Sequence, residues 1–450
     1  MYSSALTWKE YDDADAWWNA VETLLQGASH TLPLPTIQSI CVSGTSASCL
    51  LVDRTTRQWT RRPRMYNYDV VMMEEGHAAA AAVGGKTNPE TATTMTTTIT
   101  TAAHRAMECL DRHAPPRHTA RARTGSLAKL VTWALEQPLS SNESLCHQSD
   151  YISMLLTGQT SPMQSDWHNC LKLGYDVRQR KWPDWLLLCL RDAGISDPTK
   201  VIPWKVVAPG ERLGTLDKNM ADKLGLNPET VVVGGTTDSN AAFLAAAGTS
   251  PVVGTAVTSL GSTLAMKQLS EVYIEDASRG VYSHRFPNFR NPDAESWLVG
   301  GASNVGCAIL RQLQFSNDEL KELSADIDPN TDSSLKYYPL TKVGERFPVA
   351  DAGKEPLLEP VPQSRKDYLH GLLQSISDVE GEGFSILQEL GAPPPSIVYT
   401  CGGGSNNEMW SQLRERRLRE RFPESRINVK KATCTEASFG AALLAAATFR

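Results

Sequence analysis

Four short segments of the 450-residue chain combine residue types that can do chemistry. Asp238 follows Thr236 and Thr237 and precedes a small-residue run, Ala241 to Ala247. A carboxylate at the start of a helix is favoured by the helix dipole. It can act as an N-cap and nothing more, or as a general base for a hydroxyl within hydrogen-bond reach. Gly402-Gly403-Gly404 follows an apolar stretch and leads into Asn406, Asn407 and Trp410. Three glycines suit a flat group lying against the backbone, while the amides and the indole offer donors, acceptors and an aromatic face. A plain strand-to-helix connection is the alternative, and the GxGxxG spacing of dinucleotide sites is absent. Gly261-Ser262-Thr263 could bring backbone N–H groups and two hydroxyls to a phosphate, or be a simple hairpin turn. Gly44-Thr45-Ser46 would offer hydroxyls to a polyol.

The elements that must position these segments have readable patterns. Asp12 or Asp13 can cap a first helix whose apolar face is Ala14, Trp17, Val21, Leu24 and Leu25, with Gln26-Gly27 as its end. Ser39 to Ser43 reads as a strand entering the Gly44 turn, and Leu50 to Asp53 as its hairpin partner. Val231 to Val233 is a short buried strand ending in Gly234-Gly235-Thr236-Thr237-Asp238; Ala256 to Leu260 and Ile397 to Thr400 are two more. Ala437 to Ala447 is a closing helix. Strands that each end in Gly with Ser, Thr or Asp indicate an open α/β sheet with ligand loops at the strand ends. Two domains are expected, 1–228 and 229–450, with a low-complexity, mobile insertion over 78–103.

Composition narrows the function classes. The net charge is -6 and the basic run Arg54, Arg57, Arg61, Arg62, Arg64 reads as a solvated hairpin end, so nucleic acid is not an expected partner. No apolar run approaches membrane-spanning length. Nine scattered cysteines show no CxxC or Cys/His ligand motif; they read as free thiols in a reducing compartment, and no zinc site is expected. The acidic start, with Glu10, Asp12, Asp13 and Asp15, is unlike a targeting signal.

Seven stretches, in order along nearly the whole chain, resemble the FGGY carbohydrate kinases of the actin/hexokinase/Hsp70-like superfamily. They are SICVSGTSASCLLVD (39–53), QSDWHNCLKLGYD (164–176), VVVGGTTDSNAAFLAA (231–246), AVTSLGSTLAMK (256–267), WLVGGASNVG (297–306), YTCGGGSNNEMW (399–410) and TEASFGAALLA (435–445). The wording of GTSAS, YSHRF, GERFP and LHGLLQSISDVEGEGF looks most like the ribulokinase-like branch of plants, algae and cyanobacteria, sometimes labelled xylulose kinase.

The resemblance implies an α/β fold of two RNase H-like lobes with an interlobe cleft, sugar bound on the first lobe and ATP on the second. It implies that Asp238 is the catalytic base and that Gly44, Thr45 and Ser46, with Asp238, contact the sugar. Gly261, Ser262 and Thr263 match the phosphate turn, and Gly403, Gly404, Asn407 and Trp410 the adenosine motif. Mg2+ would arrive on ATP, with no protein metal ligand assignable. The implied reaction is phosphorylation of a ketopentose, D-ribulose first and D-xylulose as competitor; a non-catalytic nucleotide- or sugar-binding relative is the alternative. Small molecules are the implied partners, in a plastid or the cytoplasm. Two departures stand out. The DFGTSGAR-like loop of the family's first hairpin has no counterpart here, for which truncation is the favoured explanation, and Ser43 stands where relatives often carry Asp.

Overall fold

The computed structural model describes residues 3–6, 11–73, 102–159, 163–289, 291 and 294–448. They form two compact units: one comprises the chain up to Ala241 together with everything from Ala437 onward, the other Ala242–Glu436. The expected boundary near residue 228 therefore falls inside the first unit. Strand pairing explains this, because β8 (Val231–Thr237) lies parallel to β1 (Ser39–Gly44), with Val232 opposite Ile40 and Thr237 opposite Gly44. The closing helix α13 (Ala437–Ala447), read correctly from its alanines, returns to this unit and packs on β1 and β8. Its Gly440 sits against the Ala241 backbone, where a side chain has no room.

In the first unit, helix α1 (Ala14–Ser29) is capped by Asp13, whose Oδ1 accepts the Asp15 amide at 2.9 Å. It buries Trp17 and runs past Gly27, which makes no left-handed turn. β1 does not form a hairpin with the following strand. It pairs with β8 in the order β1-β8-β7, where β7 is Arg212–Thr215, whereas β2 (Cys49–Asp53) lies between β3 (Trp59–Arg64) and β4 (Glu143–His147). The chain turns between them at Ala47, with φ of 65°. One core gathers Leu110, Leu127, Leu130, Leu186 and Leu190 under a helix over 102–113 (α2), α3 (Ser126–Glu136) and α6 (Asp184–Asp192). A second gathers Trp17, Leu50, Val52, Ile152 and Val232 around α4 (Gln148–Thr157). Of the expected insertion, 78–101 lies outside the described residues, and 102–103 begin α2.

The basic run is not uniformly solvated. Arg61 contacts Glu143 at 3.2 Å, and Arg64 is buried against Glu136 and the Lys129 carbonyl. A guanidinium beside a carboxylate is less costly to bury than a lone charge, so two of the five arginines, Arg61 and Arg64, are absorbed into helix–sheet packing.

The second unit is built on a six-stranded mixed sheet, β11-β12-β10-β9-β13-β14. β9 (Thr255–Leu260), β10 (Leu264–Ser270), β12 (Trp297–Ser303) and β11 (Tyr282–Arg285) are antiparallel neighbours; β13 (Ile397–Cys401) and β14 (Asn428–Lys431) run parallel to β9. The covering helices include α9 (Ala308–Gln312), α10 (Asn317–Ala325), α11 (Arg365–Glu389) and α12 (Glu408–Arg421). Among the described residues no helix is long and apolar enough to cross a membrane.

Candidate active site

In the first unit the parallel register brings two of the sequence-selected segments together. Gly44 is opposite Thr237, so the Thr45-Ser46 turn and Asp238 leave neighbouring strands at their carboxyl ends. This is where open α/β sheets place ligands. Asp238 is exposed as the first residue of α8 (Asp238–Ala247), and its Oδ1 accepts the Ser239 amide at 2.7 Å. Gly234-Gly235-Thr236-Thr237 is buried strand, not a ligand loop. The glycines serve close packing: a side chain at Gly234 would meet the Ala208 oxygen at 2.6 Å, and one at Gly235 the Val42 oxygen at 2.5 Å. The Thr237 hydroxyl is buried with no hydrogen-bond partner.

The Thr45 turn is held from several sides. Gln148 Oε1 accepts from the Thr45 amide (3.0 Å) and hydroxyl (3.1 Å). Lys129, fully buried, donates through Nζ to the carbonyls of Ala47 (2.8 Å) and Met65 (2.7 Å). Burial pushes this ammonium down to about 8. Lys172 stands near Asp238: burial lowers its pKa, and the Asp238 carboxylate opposes that shift. Neither lysine was singled out from sequence. Lys172 lies in the quoted 164–176 stretch, but only the fold pairs it with Asp238.

Asp166 supports the same region. It caps α5 (Trp167–Cys170), accepting the His168 and Asn169 amides at 2.8 and 3.1 Å, and His168 Nδ1 contacts the Thr236 hydroxyl at 2.7 Å. Burial, reinforced by the charge of Asp150, pushes Asp166 up to about 8. From its ordinary value of 3.8 to about 8 the folded chain holds a proton that the unfolded chain has lost. That contribution is complete below 3.8 and is lost as pH rises through about 8. Urea unfolding from pH 4.5 to 8 should show stability falling by up to ~1.4 kcal/mol per pH unit per proton. Asp166→Asn, which keeps a capping oxygen, should flatten the profile; parallel wild-type and variant profiles would remove Asp166 as the cause.

In the second unit a cavity of about 680 Å³ is lined by Gly403, Gly404, Asn407 and Trp410, with Cys307, Arg311, Phe315 and Ser324 among the other walls. That volume is within the range of small-molecule sites. Gly402 adopts φ of 82°, and a side chain there would meet the Leu260 oxygen at 2.6 Å. Gly403 is exposed with open space where a side chain would project, whereas a Cβ at Gly404 would lie 2.7 Å from both Leu260 and Trp410.

Two sequence expectations are corrected here. Trp410 is only 1% exposed, its Nε1 donating to the Leu373 carbonyl (3.0 Å) and the Ser377 hydroxyl (2.9 Å), so it is a buried wall and not a free stacking face. The Asn407 amide is also engaged: Oδ1 accepts the Trp410 amide (3.0 Å), and Nδ2 donates to Ser324 Oγ (2.8 Å).

Gly261-Ser262-Thr263 is the turn of the β9–β10 hairpin. It nevertheless borders the cavity, because Arg311 Nη2 donates to Ser262 Oγ at 2.9 Å and the Cys307 amide to the Gly261 carbonyl at 2.8 Å. The hydroxyl-bearing Ser262 and Thr263 are exposed. All seven residues expected at a nucleotide thus fall around one cavity and its adjoining turn.

No family model matches the sequence. Solved structures do. The chain is similar to a xylulose kinase from Rhodospirillum rubrum, with a TM-score of 0.70 and 19% identity, over 96% of this chain and 80% of that one. Gluconate kinase from Lactobacillus acidophilus gives 0.71 at 14% identity, over 97% and 80% of the two chains. Plasmodium falciparum glycerol kinase with ADP gives 0.69 at 14%, over 97% and 81%. The chain therefore has the mixed α/β, two-lobe ATPase-type fold of these sugar kinases.

Proposed function

We propose that the chain is an ATP-dependent carbohydrate kinase acting on a ketopentose. D-ribulose is the leading acceptor on the sequence resemblance, and D-xylulose its close competitor. The observation that carries the reading is the cavity of about 680 Å³ beside the 261–263 turn, which offers a glycine-floored slot next to two exposed hydroxyls, that of Ser262 already held by Arg311. The nucleotide base would occupy the slot and the phosphates the Gly261-Ser262-Thr263 turn. The sugar would bind at the Gly44-Thr45-Ser46 turn and Asp238.

The chemistry follows from these assignments. Asp238 accepts the proton of the attacking sugar hydroxyl, whose oxygen forms the new bond to the γ-phosphorus as the bond to the ADP oxygen breaks. Most of the acceleration in such transfers comes from positioning and charge neutralisation. Mg2+ enters as part of the Mg·ATP substrate. Among the described residues no trio of metal-ligating side chains lies beside Asp238 or the 261–263 turn.

Incubation with γ-labelled ATP and each sugar tests the reading. Label in a ketopentose monophosphate supports it; retained nucleotide binding with no labelled sugar from any acceptor favours a binding relative. A second test addresses the slot. Because Gly403 faces open space, Gly403→Val should fold with an unchanged melting temperature yet weaken ATP at least ~10-fold by filling the cavity. Unaltered ATP affinity by calorimetry would place the nucleotide elsewhere.

A further inference from the structure

We infer that the first unit contains a zinc-binding site made by Cys109, His113, Cys189 and Asp192. Cys109 and His113 are four apart on α2 and so share a face; Cys189 and Asp192 are three apart on the facing α6. Where the helices meet, Cys109 Sγ lies 3.5 Å from Cys189 Sγ and 3.6 Å from Asp192 Oδ2. His113 Nε2 lies 3.0 Å from the same Asp192 oxygen. The donor atoms of Cys109, His113 and Asp192 are all within 4.8 Å of one another. Tetrahedral zinc with bonds of about 2.0–2.3 Å needs donor separations of about 3.3–3.8 Å. Cys109, His113 and Asp192 need only small adjustments, whereas Cys189 Sγ is close to the Cys109 sulfur alone and must swing inward to complete the set.

The donor set suits zinc better than a hard cation, since two thiolates and an imidazole outweigh one carboxylate. With both thiols deprotonated, the four ligands and Zn2+ carry a net charge of −1. Arg112, on the same Asp192 carboxylate and mostly exposed, supplies the compensating positive charge and is free to shift to the other oxygen. Cys189 is fully buried and Cys109 nearly so, while His113 and Asp192 stand at the rim, which leaves an entry path. Four protein donors make a closed, structural site that staples α2 to α6. It lies apart from the residues assigned to sugar and nucleotide, so it stands whether or not the kinase reading does.

The test uses the full chain, reduced and stripped with chelator, then titrated with Co2+ and Zn2+. One equivalent of Co2+ should give thiolate charge-transfer and intense tetrahedral d–d bands, displaced by one equivalent of Zn2+. Zn2+ should also raise the melting temperature and release protons. His113→Gln and Asp192→Asn, at the rim and therefore expected to fold, should each weaken Co2+ at least ~10-fold. Cys109→Ser should remove much of the charge-transfer band, and Cys401→Ser should change nothing. Absence of a one-equivalent tetrahedral spectrum would overturn the site. So would a spectrum indifferent to the rim substitutions, or a Cys109–Cys189 disulfide forming under mild oxidant in a chain that takes up no metal.

Discussion

Asp238→Asn should lower sugar-dependent ADP release by about 10²–10⁴-fold, the range over which a positioned general base acts. ATP should bind with nearly wild-type affinity, because the residues assigned to nucleotide all lie in the second unit, around the cavity and its adjoining turn. Fold damage is not expected. Asp238 is exposed, Asn retains the oxygen that accepts the Ser239 amide, and Asn is as good as Asp at a helix start. The expected signature is a loss in kcat without a comparable change in nucleotide dissociation constant or melting temperature. A variant that keeps the wild-type rate would show that Asp238 is not the base.

The largest expected effect on stability is at Glu380. Its carboxylate receives Arg414 Nε at 2.7 Å and Nη2 at 2.6 Å, while Arg414 Nη1 donates to the Thr400 hydroxyl at 2.8 Å. Both charged side chains are completely buried. The pair joins α11, α12 and β13, the last of which leads directly into the Gly402–Gly404 segment. Glu380→Leu leaves a guanidinium buried without its counter-charge, which should cost about 3–5 kcal/mol. Adding Arg414→Met removes the stranded charge, so the double variant should be more stable than the Glu380 single. Denaturant unfolding of the four members of this cycle measures the coupling. Additive losses, or a Glu380→Leu cost under about 1 kcal/mol, would mean the pair is not acting as a charge pair in a dry interior.

How much was legible in the sequence follows the range of the forces involved. The start of α1 at Asp13 and the whole of α13 depend on local capping and small-residue content, and both were readable. The strand at 39–44 was also readable, but its partner was not. Pairing with β8, nearly 190 positions away, depends on packing that no local pattern records. Gly234 and Gly235 illustrate the same limit: a glycine pair can serve a ligand or the close approach of Ala208 and Val42, and only the fold distinguishes these.

The candidate site divides similarly. The segments around Gly44, Asp238, Gly261 and Gly402 were visible because glycines, hydroxyls and a carboxylate cluster in short runs. Their internal roles were not, since Trp410 and Asn407 spend their polar atoms on Leu373, Ser377 and Ser324. Lys129 and Lys172 escaped notice because a lysine reads as surface until burial is known. The Cys109, His113, Cys189 and Asp192 group escaped because its ligands come from two helices some eighty residues apart.

The most direct measurement of the central claim is the initial rate of ADP release with Mg·ATP and D-ribulose, D-xylulose, L-ribulose or glycerol. The kinase reading predicts release that depends on a sugar and saturates with one of the ketopentoses in preference to glycerol. ADP release indifferent to every sugar, from a chain that binds ATP, would contradict it.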